Sequence, residues 1–183
     1  MNKPLRLLLI LVLIVGLMAG TGYVAMRMLY PREYESEIAA LSAEFGVEEA
    51  LICAVVDCES GFRTDVTSDA GAVGLMQLTP DAFSWVQKKI DGADSLGADA
   101  LFDPRTNLRY GVALLSLHLQ EFGTVAEALA AYHAGRGRVN EWLNDPDLSP
   151  DGKTLASIPY GDTCSYVEKV VKTEKYYHFL YHI

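Results

Sequence analysis

Between Leu7 and Met26 this chain carries 20 consecutive residues without a formal charge, mostly Leu, Ile, Val, Gly and Met. As a helix such a run rises about 30 Å, at about 1.5 Å per residue, which matches the hydrocarbon thickness of a bilayer. Lys3 and Arg6 precede it. The start is therefore expected to stay in the cytoplasm and the remainder to be exported. The run exceeds the usual signal-peptide core of about 7–15 residues, which favours a retained anchor over a cleaved signal. Small residues at Ala19–Gly22 keep cleavage open as the other reading, and no cysteine stands there to carry a lipid. The expected organisation is a transmembrane signal-anchor over 1–30 and one exported domain over 31–183, joined by a short hinge at Tyr30-Pro31.

The exported part is acidic. The chain holds 15 basic and 24 acidic residues; three of the basic ones and none of the acids lie in residues 1–30. Residues 31–183 thus carry a net charge of -12. Nucleic-acid binding relies on basic residues that neutralise phosphates, so a nucleic-acid partner is excluded. With no repeat and no linker-like tract, 31–183 reads as one unit.

That unit reads as mainly helical. Residues 33–45 place Ile38, Leu41 and Phe45 on one face before Gly46, and 48–59 are nearly apolar all round, as in a buried helix. Thr79-Pro80 and Asp103-Pro104 each pair an N-cap with a first-turn proline, opening helices to about Ile90 and Gly123. Thr124 with Glu127 fits a capping box for a helix to about Ala134. A short helix near 138–143 follows, and Asp162 caps a last helix carrying Val167, Val170, Val171 and Tyr177. Residues 60–78 lack a helical period and are expected as an irregular loop or small β-hairpin.

Glu59 is the candidate for chemistry. It follows Ala54-Val55-Val56 at the end of the buried helix, and apolar surroundings raise a carboxyl pKa. A carboxylic acid still protonated near neutrality can protonate a leaving oxygen; a solvated helix-end carboxylate is the plainer reading. The run Gly71-Ala72-Val73-Gly74-Leu75-Met76-Gln77-Leu78-Thr79-Pro80 mixes mobile glycines, apolar groups and one amide that can donate and accept. His178 and His182, four apart, read as helix-surface histidines rather than metal ligands, so no metal and no cofactor are expected. Cys53 and Cys58, five apart on one helix, point in different directions and are not expected to bridge.

Glu59-Ser60, Gly74-Leu75-Met76-Gln77-Leu78-Thr79-Pro80, Asn107-Leu108-Arg109-Tyr110-Gly111, Ala131-Tyr132-His133-Ala134-Gly135 and Ile158-Pro159-Tyr160-Gly161-Asp162-Thr163 occur in that order. Together they resemble the soluble lytic transglycosylase (SLT) family of peptidoglycan-cleaving enzymes, over about residues 34–181. The resemblance implies a lysozyme-like helical fold and cleavage between N-acetylmuramic acid and N-acetylglucosamine. It assigns Glu59 as catalytic acid/base and Ser68, Gln77, Tyr132 and Asp162 as glycan contacts. Three departures touch the rear of the groove: His133 stands for the family's Asn, Arg136 for Pro, and Asp162 with Cys164 for Glu and Arg. Because the family folds the Cys164 segment back over the acid, a Cys58–Cys164 bridge is one reading; two buried thiols is the other.

Asp57 points away from Glu59 along the helix and Asp69 reads as loop-solvated, which leaves one site acid. Two-carboxylate hydrolysis needs a pair. The family pattern instead closes the muramic 6-hydroxyl on C1 and leaves a 1,6-anhydro ring. The expected protein is a single-pass membrane lytic transglycosylase, expected as a monomer, with its domain on the extracytoplasmic side and the peptidoglycan glycan strand as partner. A muramidase and a catalytically idle glycan-binding module are the alternatives.

Overall fold

The computed structural model describes residues 3–183; the first two residues of the expected 1–30 anchor lie outside it. Among the described residues the chain forms α1 (Lys3–Leu29), α2 (Glu35–Phe45), α3 (Glu49–Ser60), α4 (Pro80–Ile90), α5 (Pro104–Phe122), α6 (Val125–Ala134), α7 (Arg136–Leu143) and α8 (Gly161–Tyr181), with a 3-10 turn at Ala98–Phe102. α1 has no buried residue and is long and apolar enough to cross a membrane.

The helix starts and stops follow the local chemistry. Thr79 accepts from the Ala82 amide at 3.2 Å and Asp103 from the Thr106 amide at 2.8 Å, each ahead of a first-turn proline. Gly46, Gly61 and Gly123 close α2, α3 and α5 in the left-handed conformation that costs glycine little. Two local expectations fail. The capping box is only half made: Thr124 accepts from the Glu127 amide at 3.4 Å, but the Glu127 carboxylate turns inward and accepts from the Leu155 amide at 2.9 Å. The amide of a distant loop outcompetes the helix's own N-terminus for that carboxylate. Asp162 does not cap α8 either. Tyr160 holds the N-cap position without a side-chain bond, and Asp162 sits in the first turn, accepting from the adjacent Thr163 amide at 2.8 Å.

α3 is the axis of the core. Ala50 to Val56 are at most 3% exposed, so every face of this helix meets another element, chiefly α8 and α2. Residues 61–79 form no ladder, only isolated antiparallel bridges Thr67–Val73 and Val73–Leu78. What fixes this loop is Asn107 on α5, fully buried. Its Oδ1 accepts from the Met76 amide at 2.8 Å, and its Nδ2 lies 2.7 Å from the Val73 carbonyl and 3.0 Å from that of Leu101. Gly74 (φ 77°) is required here, since a Cβ would strike the Asn107 amide.

The Tyr30-Pro31 junction is not a loose hinge. The Tyr177 hydroxyl donates to the Pro31 carbonyl at 2.8 Å and the Tyr181 hydroxyl to the Tyr30 carbonyl at 2.7 Å. The Tyr30 ring packs on Tyr176 at 4.8 Å. The end of α1 is thereby fastened to α8. The three cysteines are free. Cys58 Sγ lies 3.7 Å from Thr173 Oγ1, whereas Cys164 stands nine residues earlier on α8, about 13 Å along the helix. A bridge needs Cα atoms within about 7 Å, so the Cys58–Cys164 reading is set aside.

Candidate active site

Glu59 occupies the last turn of α3, half-buried, where the helix leaves the core. Ser60 beside it is buried, its hydroxyl 2.9 Å from the Leu75 carbonyl and 3.1 Å from that of Val56. That contact ties the loop to the end of α3. The Tyr166 hydroxyl, from α8, donates to Glu59 Oε1 at 2.6 Å. Burial lifts the Glu59 pKa from 4.5 to about 7, against the Tyr166 hydrogen bond and the nearby Lys169 ammonium, which both favour the carboxylate. Among the described residues no second carboxylate shares a hydrogen bond with Glu59 or Tyr166. Asp57, two residues back, is near Lys169 and acts on Tyr30 and Tyr177, on the side of α3 that meets the α1 junction.

Tyr132, on α6, donates its hydroxyl to the Met76 carbonyl at 2.7 Å. It lies close enough to Glu59 for the carboxylate's charge to raise its own pKa, after burial, the larger cause. His133 stacks on the Tyr166 ring at 4.5 Å and 26°, and its Nδ1 is 3.2 Å from Thr163 Oγ1. Tyr132 and His133 also line a cleft of about 480 Å³ between α4, α5 and α6, whose far wall carries Trp85 and His118. Glu59 itself does not line this cleft; the two residues join the two places. His118 is buried, and its pKa falls to about 4 because burial opposes the charged ring. Arg136 pairs with Glu121 at 2.6 Å and lies 5.9 Å from the Trp85 ring.

The remaining expected contacts stand at different removes. Gln77 has φ 46°, and its amide nitrogen donates to the Val66 and Gly74 carbonyls at 3.1 and 2.9 Å. With both hydrogens engaged, only Oε1 is left for a ligand, as an acceptor. Ser68 is exposed at the turn tip, its hydroxyl accepting from the Ala72 amide at 3.0 Å. Asp162 is exposed one turn before Tyr166 and reaches the site only through Thr163 and His133. Tyr166 and Lys169 escaped the sequence reading. The available signal was that Tyr166 shares the buried stripe of α8 with Val170 and Thr173, where a hydroxyl must find a partner.

Glu48, Glu174 and His178 offer ligand atoms within 4.8 Å of one another. They sit at the opposite end of α3, eleven residues or about 16 Å from Glu59, and the His178–Glu48 contact at 3.4 Å reads as a surface ion pair.

The model of the transglycosylase SLT domain family matches residues 36–152. The soluble lytic murein transglycosylase of Salmonella typhimurium is 32% identical over 154 residues, covering 82% of this chain and 24% of that protein. A membrane-bound lytic murein transglycosylase C from Actinobacillus succinogenes is 29% identical over 126 residues, 63% of this chain and 35% of the relative. The solved structure of an inactive glutamate-to-glutamine mutant of the lytic transglycosylase Slt from Pseudomonas aeruginosa superposes with a TM-score of 0.69 at 31% identity, covering 82% of this chain and 25% of that one. The chain spans about a quarter of the length of the soluble relatives it matches.

Proposed function

This chain belongs to the transglycosylase SLT domain family, and from that premise we propose that it is a lytic transglycosylase that cleaves the glycan strands of peptidoglycan, with Glu59 as its acid/base. The observation that carries the reading is a lone carboxyl group whose pKa is lifted to about 7 beneath a tyrosine hydroxyl. At neutral pH a useful fraction is protonated and able to donate to the glycosidic oxygen as the C1–O bond breaks. The resulting carboxylate then takes the proton of the muramic 6-hydroxyl while that oxygen bonds to C1. No water is consumed, and the product is a 1,6-anhydro ring. The Tyr166 hydroxyl steadies the carboxylate between the two steps. That a glutamate-to-glutamine mutant of the Pseudomonas relative is inactive supports this assignment.

The glycan is proposed to run past Glu59 into the 480 Å³ cleft, with Trp85 as a stacking face and Tyr132 and Gln77 Oε1 as the nearest polar contacts. Ser68 and Asp162 mark the outer edges of this path. The catalytic unit is taken as 31–183, because α8, beyond the matched segment, supplies Tyr166 and Lys169. α1 is read as a single-pass anchor with the domain on the extracytoplasmic side, a reading that the membrane-bound relative supports.

Digestion of purified sacculi followed by mass spectrometry tests the reaction. Anhydro products, one water lighter than hydrolytic ones and without a reducing end, are expected. Products bearing only reducing muramyl ends would identify a muramidase, and no release would identify a glycan-binding module.

A further inference from the structure

We propose that the C-terminal turn of α8 is a second membrane contact, with Phe179 inserted at the bilayer interface, and that it sets the working height of the site. The proposal rests on α1 spanning the membrane. α8 runs antiparallel to the end of α1: Pro31 meets Tyr177, Tyr30 meets Tyr176 and Tyr181, Arg27 lies over the Tyr181 ring at 4.6 Å, and the Tyr23 hydroxyl donates to the Leu180 carbonyl at 3.1 Å. The apolar run ends at Met26, so Arg27 marks the outer boundary of the span. Tyr23 lies four residues, about 6 Å, to the bilayer side of that boundary. Its bond to Leu180 brings the last turn of α8 down to the same level, the depth where aromatic residues border a bilayer.

At that level Phe179 is 68% exposed. By helical spacing it faces away from the side of α8 that packs on α1, which carries Tyr177, Leu180 and Tyr181. Lys172 and Lys175, both exposed, precede it by seven and four residues on the same face. A large apolar tip with two cations about 6 and 10 Å above it matches the layering of an anionic bilayer, acyl boundary below and phosphate groups above. In a domain of net charge -12 this pair puts two cations on the Phe179 face of α8, while the Glu48 and Glu174 carboxylates lie on the adjoining face beside His178. α8 then acts as a strut. Tyr166, which holds Glu59, is 14 residues from Leu180, so the acid stands about 20 Å from the interface along the helix.

The test uses the full chain in phosphatidylcholine–phosphatidylglycerol vesicles, with Phe179→Trp compared against the wild type and its Trp85 and Trp142. Flotation first shows whether the protein is held by vesicles. If it is, the new indole should show blue-shifted emission and lose its added fluorescence when the lipid chains are brominated. Circular dichroism matching the wild type excludes misfolding as the source of the shift. Water-like, unquenched emission from a protein that floats would overturn the interfacial contact while leaving the anchor intact. A protein that does not float would remove the anchor, and this proposal with it.

Discussion

Replacing Glu59 with Gln should make the protein inactive and, above neutral pH, more stable. The two effects share one cause. The folded protein holds the Glu59 proton up to about pH 7, whereas the group ordinarily releases it near 4.5. The raised value means that the stability this group contributes is fully present below about 4.5, where both states are protonated. It is lost progressively as pH rises to about 7, because the unfolded chain ionises first. The gap is about 2.5 units, and at about 1.4 kcal/mol per unit it comes to at most about 3 kcal/mol above pH 7. Glutamine has no proton to lose and escapes this loss. Relative to wild type, Glu59→Gln should gain about 1 kcal/mol at pH 5 and about 3 kcal/mol by pH 8. For a domain of this size that corresponds to a rise in Tm of roughly 5–10 °C at pH 8. Sacculus cleavage should fall by at least about 100-fold, the usual scale for a positioned acid/base. Thermal unfolding of the full chain in detergent at the two pH values gives the stability difference, in which the other titrating groups cancel. A variant no more stable than wild type at pH 8 would refute the desolvated acid, and near-normal cleavage would refute its role.

Tyr166→Phe removes a hydrogen bond to the charged form of Glu59, worth about 1.5–3 kcal/mol; the alkaline limb of kcat/KM should move up by about one to two pH units, and a pH–rate profile whose limb stays or moves down would contradict the arrangement. Asn107→Ala leaves the Met76 amide and the Val73 and Leu101 carbonyls without their buried partner, at about 1–3 kcal/mol each. Urea unfolding should show a loss of several kcal/mol, whereas a loss below about 1 kcal/mol would show that the loop is held by other means. Thiol titration of denatured, unreduced protein should give three equivalents, from Cys53, Cys58 and Cys164.

Local chemistry was legible where it had no competitor. Thr79-Pro80, Asp103-Pro104 and the glycines after α2, α3 and α5 act within one turn of chain, and the structure places each boundary where those residues put it. The apolar run ahead of Glu59 likewise announced a buried helix ending in an acid. Where a distant group competes, the pattern misleads. Glu127 has the spacing of a capping-box partner, but the Leu155 amide, 28 residues on, claims its carboxylate. Tyr30-Pro31 looks like a hinge until three tyrosines some 150 residues later close on it. Tyr166 is 107 residues from Glu59, so no local spacing links the two. Asn107 showed the family's pattern without showing that it holds the loop.

The value of about 7 at Glu59 is a balance between elements rather than a property of α3. An apolar helix lifts the pKa by burial. Left to burial alone, the acid would hold its proton more firmly still. α8 supplies the counterweight with Tyr166 and Lys169. The same helix grips the end of α1 through Tyr176, Tyr177 and Tyr181. Both tasks require a fixed distance along one rod, and the sequence of α8 meets that requirement: after Gly161 it contains neither Gly nor Pro through Tyr181, and Val167, Val170 and Thr173 seat it against the core. A break between Lys169 and Tyr176 would therefore disturb two things at once, the proton affinity of the acid and its placement relative to α1, although it would touch neither Glu59 nor α1.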